Sequence, residues 1–460
     1  MADTIIRNAY VVTMDPDRRI LSDGAIAIEN GRIVAVGKTD EVLAAHTAMD
    51  VIDGTDRMVI PGLIDGHNHP FQFLSKGIGD DVDIMTWLYR RVYPYEATLS
   101  EGEAYTGALG NYAQMLKTGT TCFNDPGGHH SDHLAQAAVD IGIRGIINRS
   151  TRDIADDDVP VPEKHFETTE KALEEGERLI ERWNGAADGR LRAWAGLRYI
   201  FNCSDALCKG AKEIADRHGV GLHSHVAAVH GENELIVERF GKRSLQRYFD
   251  LGLFDKNLYL IHMGYPDEHE VELLKAHDVK VVHCPGASMH GSYGVIQNKM
   301  MPVMIERGVN VALGTDSATA GRFLDMVRVM YLGACAHKDA YHDETKVGAY
   351  KALEMTTIEA ARACLWDDEI GSLEIGKRAD VVIVDMSELH WHPNADPVSN
   401  FIYAGSGADV ETVFVNGRAL VRNRILTMLD ERQLVNEVRA AGEAWRSRAG
   451  IDHGPLWPVL

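Results

Sequence analysis

The stretch Met58-Val59-Ile60-Pro61-Gly62-Leu63-Ile64-Asp65-Gly66-His67-Asn68-His69 runs from an apolar segment into two imidazoles one residue apart. Residues i and i+2 of an extended chain point to the same side, so a strand ending in His-x-His can aim two nitrogens at one ion. Alone this is weak, because the chain has 21 histidines and chance pairs are expected. Three further apolar runs strengthen it by ending the same way: Val220-Gly221-Leu222-His223-Ser224-His225, Leu258-Tyr259-Leu260-Ile261-His262 and Val311-Ala312-Leu313-Gly314-Thr315-Asp316.

Working outward, short Val/Ile/Leu/Ala runs bounded by Gly, Pro or Asp alternate with longer amphipathic stretches, the pattern of strand-helix units around a parallel sheet. Eight such strands begin near Met58, Thr120, Ile143, Leu191, Val220, Leu258, Val279 and Val309, with helices predicted over 101–117, 165–183 and 268–277. Eight units over about 260 residues fit an α/β fold of the (β/α)8 TIM-barrel type, whose chemistry gathers at the C-terminal strand ends. His67, His69, His225, His262 and Asp316 all fall there. A doubly wound open sheet would keep the first and last strands apart, whereas a closed barrel joins them.

Both flanks read as β-rich. Residues 4–36 hold strand runs around an Asn30-Gly31 hairpin turn, and 379–426 repeat that character. The expected organisation is a small composite β-sandwich from 1–57 and 368–427, a barrel over 58–367, and a C-terminal helix with an extended tail over 428–460. The chain has 460 residues, 45% of them hydrophobic, enough for one large core and a satellite.

A formal net charge of −21 argues against a nucleic-acid or anionic-membrane surface, which would need clustered Lys and Arg. The N-terminus lacks a basic and apolar leader, and no run reaches the roughly 18 apolar residues of a membrane span. Six scattered cysteines are expected to be reduced thiols. A cytoplasmic homo-oligomer acting on a small molecule is the expectation.

Residues Val59 to His69, Asp80 to Leu88, the His283-Cys284-Pro285 triplet and Gly314-Thr315-Asp316-Ser317 together resemble the amidohydrolase superfamily, in the branch of triazine chlorohydrolases and cytosine, guanine and S-adenosylhomocysteine deaminases. The resemblance implies one divalent metal, zinc or iron with cobalt or manganese as alternatives, held by His67, His69, His225 and Asp316. The physical reading agrees. Three neutral imidazoles and a carboxylate leave a position for water, whose pKa falls near a metal. Asp316 can then serve as general base, and His262 can hydrogen-bond the attacking water or the developing oxyanion. A strand-end Asp can instead cap a helix, and a strand-end His can be a core residue. His223 shares the face of His225 and is weighed as a ligand or a partner of one. Binuclear relatives carry a lysine at the end of the fourth strand; 191–208 contains none, which favours a single ion.

One departure stands out. The deaminases of this branch place a proton-shuttling glutamate three residues after the fifth-strand histidine, where this chain has Ala228. Losing such a shuttle forfeits about 10² to 10⁴ in rate when a ring nitrogen and a poor amine leaving group need protons. The favoured substrate is therefore a urea, carbamate or thiocarbamate with an easier departure, as in xenobiotic degradation by phenylurea and molinate hydrolases. Deamination or dechlorination of a purine, pterin, triazine or S-adenosylhomocysteine-type compound is the alternative. His230 is the substitute shuttle considered, with Glu232 and Glu234 read as solvated helix charges. Trp87, Asn202, His230 and His283 are candidate substrate contacts, although Asn202 also suits a turn. Phe71, Phe73, Tyr199, Phe201, Met289 and Tyr293 offer apolar surface near strand ends. A barrel that has lost catalysis and serves as a scaffold is the competing class. Keeping all four ligands and His262 argues against it.

Overall fold

The computed structural model describes residues 1–155, 161–451 and 457–458. Eight parallel strands, paired in sequence order, form the barrel: Leu63–Asp65, Thr120–Asn124, Arg144–Thr151, Leu191–Tyr199, Leu222–Val226, Leu258–His262, Lys280–His283 and Val311–Leu313. The first and last strands meet through backbone bonds from Gly66 N to Leu313 O (2.9 Å), Asp316 N to His67 O (2.8 Å) and His69 N to Asp316 O (2.9 Å). Close approach at this seam requires a glycine: a Cβ on Gly314 would stand 2.8 Å from the His67 nitrogen.

The run that opens the reading divides differently from expectation. Arg57–Pro61 does not start the barrel; it pairs with the N-terminal strand Ala2–Val12 and with Val381–Asp385, inside a nine-stranded mixed sheet built from both ends of the chain. Alternation explains why a continuous apolar run can do this. Met58 and Ile60 pack with the barrel core, while Val59 faces Ile6, Ile26 and Phe414 in the terminal sheet's own core. Gly62 then separates this strand from the short first barrel strand.

Local signals fall where the chain chemistry puts them. Asn30 and Gly31 take φ of 50° and 76°, the left-handed pair of a tight hairpin turn between Ile20–Glu29 and Arg32–Lys38. Glu101–Lys117 is helical and opens on a Ser100/Glu103 capping box; Glu268–Ala276 opens on an Asp267/Glu270 box. The third helix, Thr169–Trp183, starts at the Thr168 cap rather than at His165, which belongs to a separate 3-10 turn. Glu431–Ala449 forms the C-terminal helix, and most of the tail lies outside the described residues. No helix among the described residues is long and apolar enough to cross a membrane.

Candidate active site

The strand ends bring His67, His69, His225, His262 and Asp316 to one place. Donor atoms of His67, His69 and His225 lie within 4.8 Å of one another, as do those of His67, His262 and Asp316. His67 Nε2 is 3.3 Å from His225 Nε2 and 3.5 Å from Asp316 Oδ1; His69 Nε2 is 3.4 Å from the same oxygen. His262 and Asp316 sit in left-handed backbone, at φ of 76° and 67°, a strain that turns each side chain off its strand toward the others.

Burial keeps the imidazoles unprotonated. Burial, aided by nearby Arg198, pushes the His67 imidazole down to about 3, and burial likewise holds His69 and His225 far below the usual histidine range. These rings are neutral, with lone pairs free to donate. The Asp316 carboxyl is raised by burial, with His262 and Arg198 pulling the other way. Buried His69 Nδ1 has no hydrogen-bond partner among the described residues. Three neutral nitrogens and a carboxylate oxygen converging within 4.8 Å in two overlapping groups match the donor set of a mononuclear divalent ion, and these residues fit it.

Surrounding residues fix the candidate ligands. His225 Nδ1 is 3.0 Å from the Arg198 carbonyl, which selects the tautomer that turns Nε2 inward. Asp65 accepts from His67 N (3.2 Å), Thr315 N (2.9 Å) and Thr315 Oγ1 (2.5 Å), tying the first strand end to the last. His223 Nε2 lies 3.4 Å from His67 Nδ1, so it stands behind a candidate ligand and outside the ligand cluster.

A cavity of about 490 Å³ opens on this cluster, lined by His69, His225, His262 and Asp316 and walled by Trp87, Tyr199, Phe201 and Tyr293. A larger cavity of about 630 Å³ lies at the opposite barrel end, among Asn257, Asp278 and Asn310, away from the ligands. Chemistry at strand C-termini makes the smaller one the site.

Several sequence expectations shift here. Trp87 lines the cavity as expected. Asn202 does not line it: its Oδ1 accepts from Tyr199 N at 3.1 Å and closes a turn. His283 is buried behind the site with its Nε2 3.1 Å from His337 Nε2. His230 is exposed at the cavity rim, whereas Glu232, taken for a solvated charge, is buried on the wall. Phe71 and Phe73 are core, and Met289 is exposed. Sequence reasoning also passed over buried Arg198, whose Nη2 is 3.3 Å from Glu96 and which lines the cavity. An arginine at the C-terminal end of the strand Leu191–Tyr199, where barrel chemistry gathers, was the available signal.

A barrel with this cluster at its C-terminal face defines a class, the metal-dependent hydrolases. The amidohydrolase family model matches residues 58–420, and the chain belongs to that family. A bacterial imidazolonepropionase-like composite domain matches 24–48. The chain is 35% identical to the 5'-deoxyadenosine deaminase of Methanosarcina acetivorans, over 98% of this chain and all of the relative. It is 32% identical to the 5-methylthioadenosine/S-adenosylhomocysteine deaminase of Caldanaerobacter subterraneus, covering 94% and 96%. A crystal structure of an adenosine deaminase from Xanthomonas campestris with bound zinc superimposes with a TM-score of 0.89 at 28% identity, covering 98% and 99%. The protein is thus an enzyme, a hydrolase of carbon–nitrogen bonds.

Proposed function

We propose that this chain is a hydrolytic deaminase of an adenosine-type nucleoside, working with one divalent ion, zinc, held by His67, His69, His225 and Asp316. The observation that carries this reading is the aromatic cavity floored by the ligand cluster, whose volume of about 490 Å³ lies in the usual range of small-ligand pockets. Full-length likeness to deaminases of 5'-deoxyadenosine and methylthioadenosine supports it. The urea, carbamate and thiocarbamate reading rested on having no carboxyl beside His225, and buried Glu232 on the same cavity wall removes that premise. With it goes the support for xenobiotic degradation.

The ion would supply Lewis acidity, lowering the pKa of an attacking water toward neutrality. Asp316 takes a proton from that water as it adds to the ring carbon bearing the amino group. His262, buried and pushed down to about 4 against the pull of Asp316, is neutral and can hydrogen-bond the oxygen that gains charge. Tyr293, in edge contact with His262 at 5.7 Å, and Trp87 and Phe201 supply faces on which a purine can stack.

The protein is placed in the cytoplasm, where its six unpaired cysteines would stay reduced, as a homo-oligomer without nucleic-acid or membrane partners. Light scattering checks the assembly. The function is tested by incubating zinc-loaded protein with 5'-deoxyadenosine, methylthioadenosine, S-adenosylhomocysteine, atrazine, phenylureas and thiocarbamates. Ammonia and the inosine-type product are expected from the nucleosides; turnover confined to the ureas or thiocarbamates overturns the reading.

A further inference from the structure

The residue that should carry the proton shuttle is an alanine, yet a carboxylate occupies its neighbourhood. After the strand Leu222–Val226, Ala227 takes a φ of 48° and Gly231 one of 89°, so the chain doubles back before the helix Glu232–Phe240 begins. That reversal brings the Glu232 side chain onto the amides of the loop it has just left. Its Oε1 accepts from Ala227 N at 2.7 Å and its Oε2 from Ala228 N at 2.8 Å. The carboxylate is anchored to the backbone of Ala227 and of Ala228, whose own side chain offers the site only a methyl group.

Glu232 also meets the other needs of a proton carrier. It is buried, it lines the cavity with His69, His225, His262 and Asp316, and it lies on the wall bearing Ala228. The charged and titratable groups around it are Tyr199 from the fourth barrel strand, Tyr248 from the helix Ser244–Asp250, and Arg198, His69, Tyr89, His225, His230, His262, Tyr293 and Asp316 around the cavity. Burial pushes this carboxyl up to about 7, against the pull of the amides of Ala228, Ala227 and Val229, so both protonation states are accessible near neutrality.

We propose that Glu232 is the proton shuttle of the deamination, displaced four positions along the sequence from Ala228 and returned to the site by the loop reversal. The assignment rests on the deaminase reading given above. Glu232 in its acid form donates to the ring nitrogen beside the amino-bearing carbon, while Asp316 takes one proton from the adding water. The carbon–nitrogen bond then breaks with its electron pair leaving on nitrogen. Asp316 returns its proton to that nitrogen, so ammonia departs, and the hydroxyl proton of the tetrahedral adduct passes to Glu232. A carbonyl and a protonated ring nitrogen remain, and both carboxyls are reset.

The test compares wild type, Glu232→Gln and the double variant Ala228→Glu/Glu232→Gln, each zinc-loaded and checked for metal content and fold by circular dichroism. On the best aminopurine nucleoside, Glu232→Gln is expected to lose at least about 100-fold in kcat with little change in KM, because the amide cannot supply the proton. The double variant, with a carboxyl at the family position, is expected to regain at least about tenfold of that loss. Wild-type kcat/KM should fall as pH rises through about 7, since the acid form is the donor. In metal-free protein, infrared titration should show one carboxyl fewer changing near that pH in Glu232→Gln than in wild type, where buried Asp65 is also raised to about 7. A wild type that deaminates while Glu232→Gln stays within about threefold of it overturns the shuttle and leaves the function standing. The same holds if the double variant gains nothing, or if Glu232 is ionised throughout the titration. A wild type inactive on every aminopurine nucleoside overturns both.

Discussion

Arg144, on the third barrel strand, and Asp380, just before the strand Val381–Asp385, form a buried two-pronged ion pair, with Nε–Oδ2 at 2.7 Å and Nη2–Oδ1 at 3.1 Å. Asn416 Oδ1 accepts from the same guanidinium, and the Trp366 ring lies 5.0 Å from it. The pair fastens the barrel to the terminal sheet. Removing either partner strands the other charge without water, so Arg144→Ala or Asp380→Ala should cost about 3–5 kcal/mol of stability. The pair replaced by Met and Leu should recover most of that. Chemical denaturation checks both; a single variant within about 0.5 kcal/mol of wild type would refute the coupling.

His67→Ala and His225→Ala should each abolish metal content together with turnover, because two nitrogens and a carboxylate hold the ion too weakly. Inductively coupled plasma analysis decides. Full occupancy in both variants would remove these residues from the ligand set.

Asp316→Asn should lower kcat by at least about 10², whatever it does to metal affinity, since an amide cannot accept the water's proton. Measuring kcat at saturating zinc separates the two effects. Undiminished turnover would rule out the base role.

Asp65 touches no ion in this scheme, yet it orients His67 and Thr315 through three hydrogen bonds. Asp65→Ala should weaken zinc binding about 10–100-fold while leaving four ligands in place. Competition against a chromogenic chelator reads this directly. Unchanged affinity would show that the Gly66–Leu313 and His67–Asp316 backbone bonds hold the seam alone.

The barrel and the cluster of histidines with Asp316 were legible in the sequence because each of these residues stands at the end of an apolar run, and strand periodicity turns that position into direction. That His67, His69, His225 and Asp316 form one ligand set is what the family resemblance adds to that position. What escaped depends on the path of the chain between elements. Val59 and Ile60 read as a barrel strand because an apolar run buried on both faces looks the same in either sheet. Glu232 read as a helix-surface charge because helical position gives no sign of the left-handed turns at Ala227 and Gly231 that fold it inward. His230, nearer in sequence to His225, stands exposed for the same reason.

The seam between the first and eighth strands has a consequence for how the enzyme matures. Its two sides, joined by Asp65 and Thr315, lie 250 residues apart in the chain. During synthesis His67 and His69 emerge long before the strand that carries Asp316, and closing so long a loop is costly until the intervening strands have paired. Zinc acquisition is then expected to follow emergence of the eighth strand from the ribosome, and a truncated nascent chain ending before residue 316 should leave the tunnel without metal.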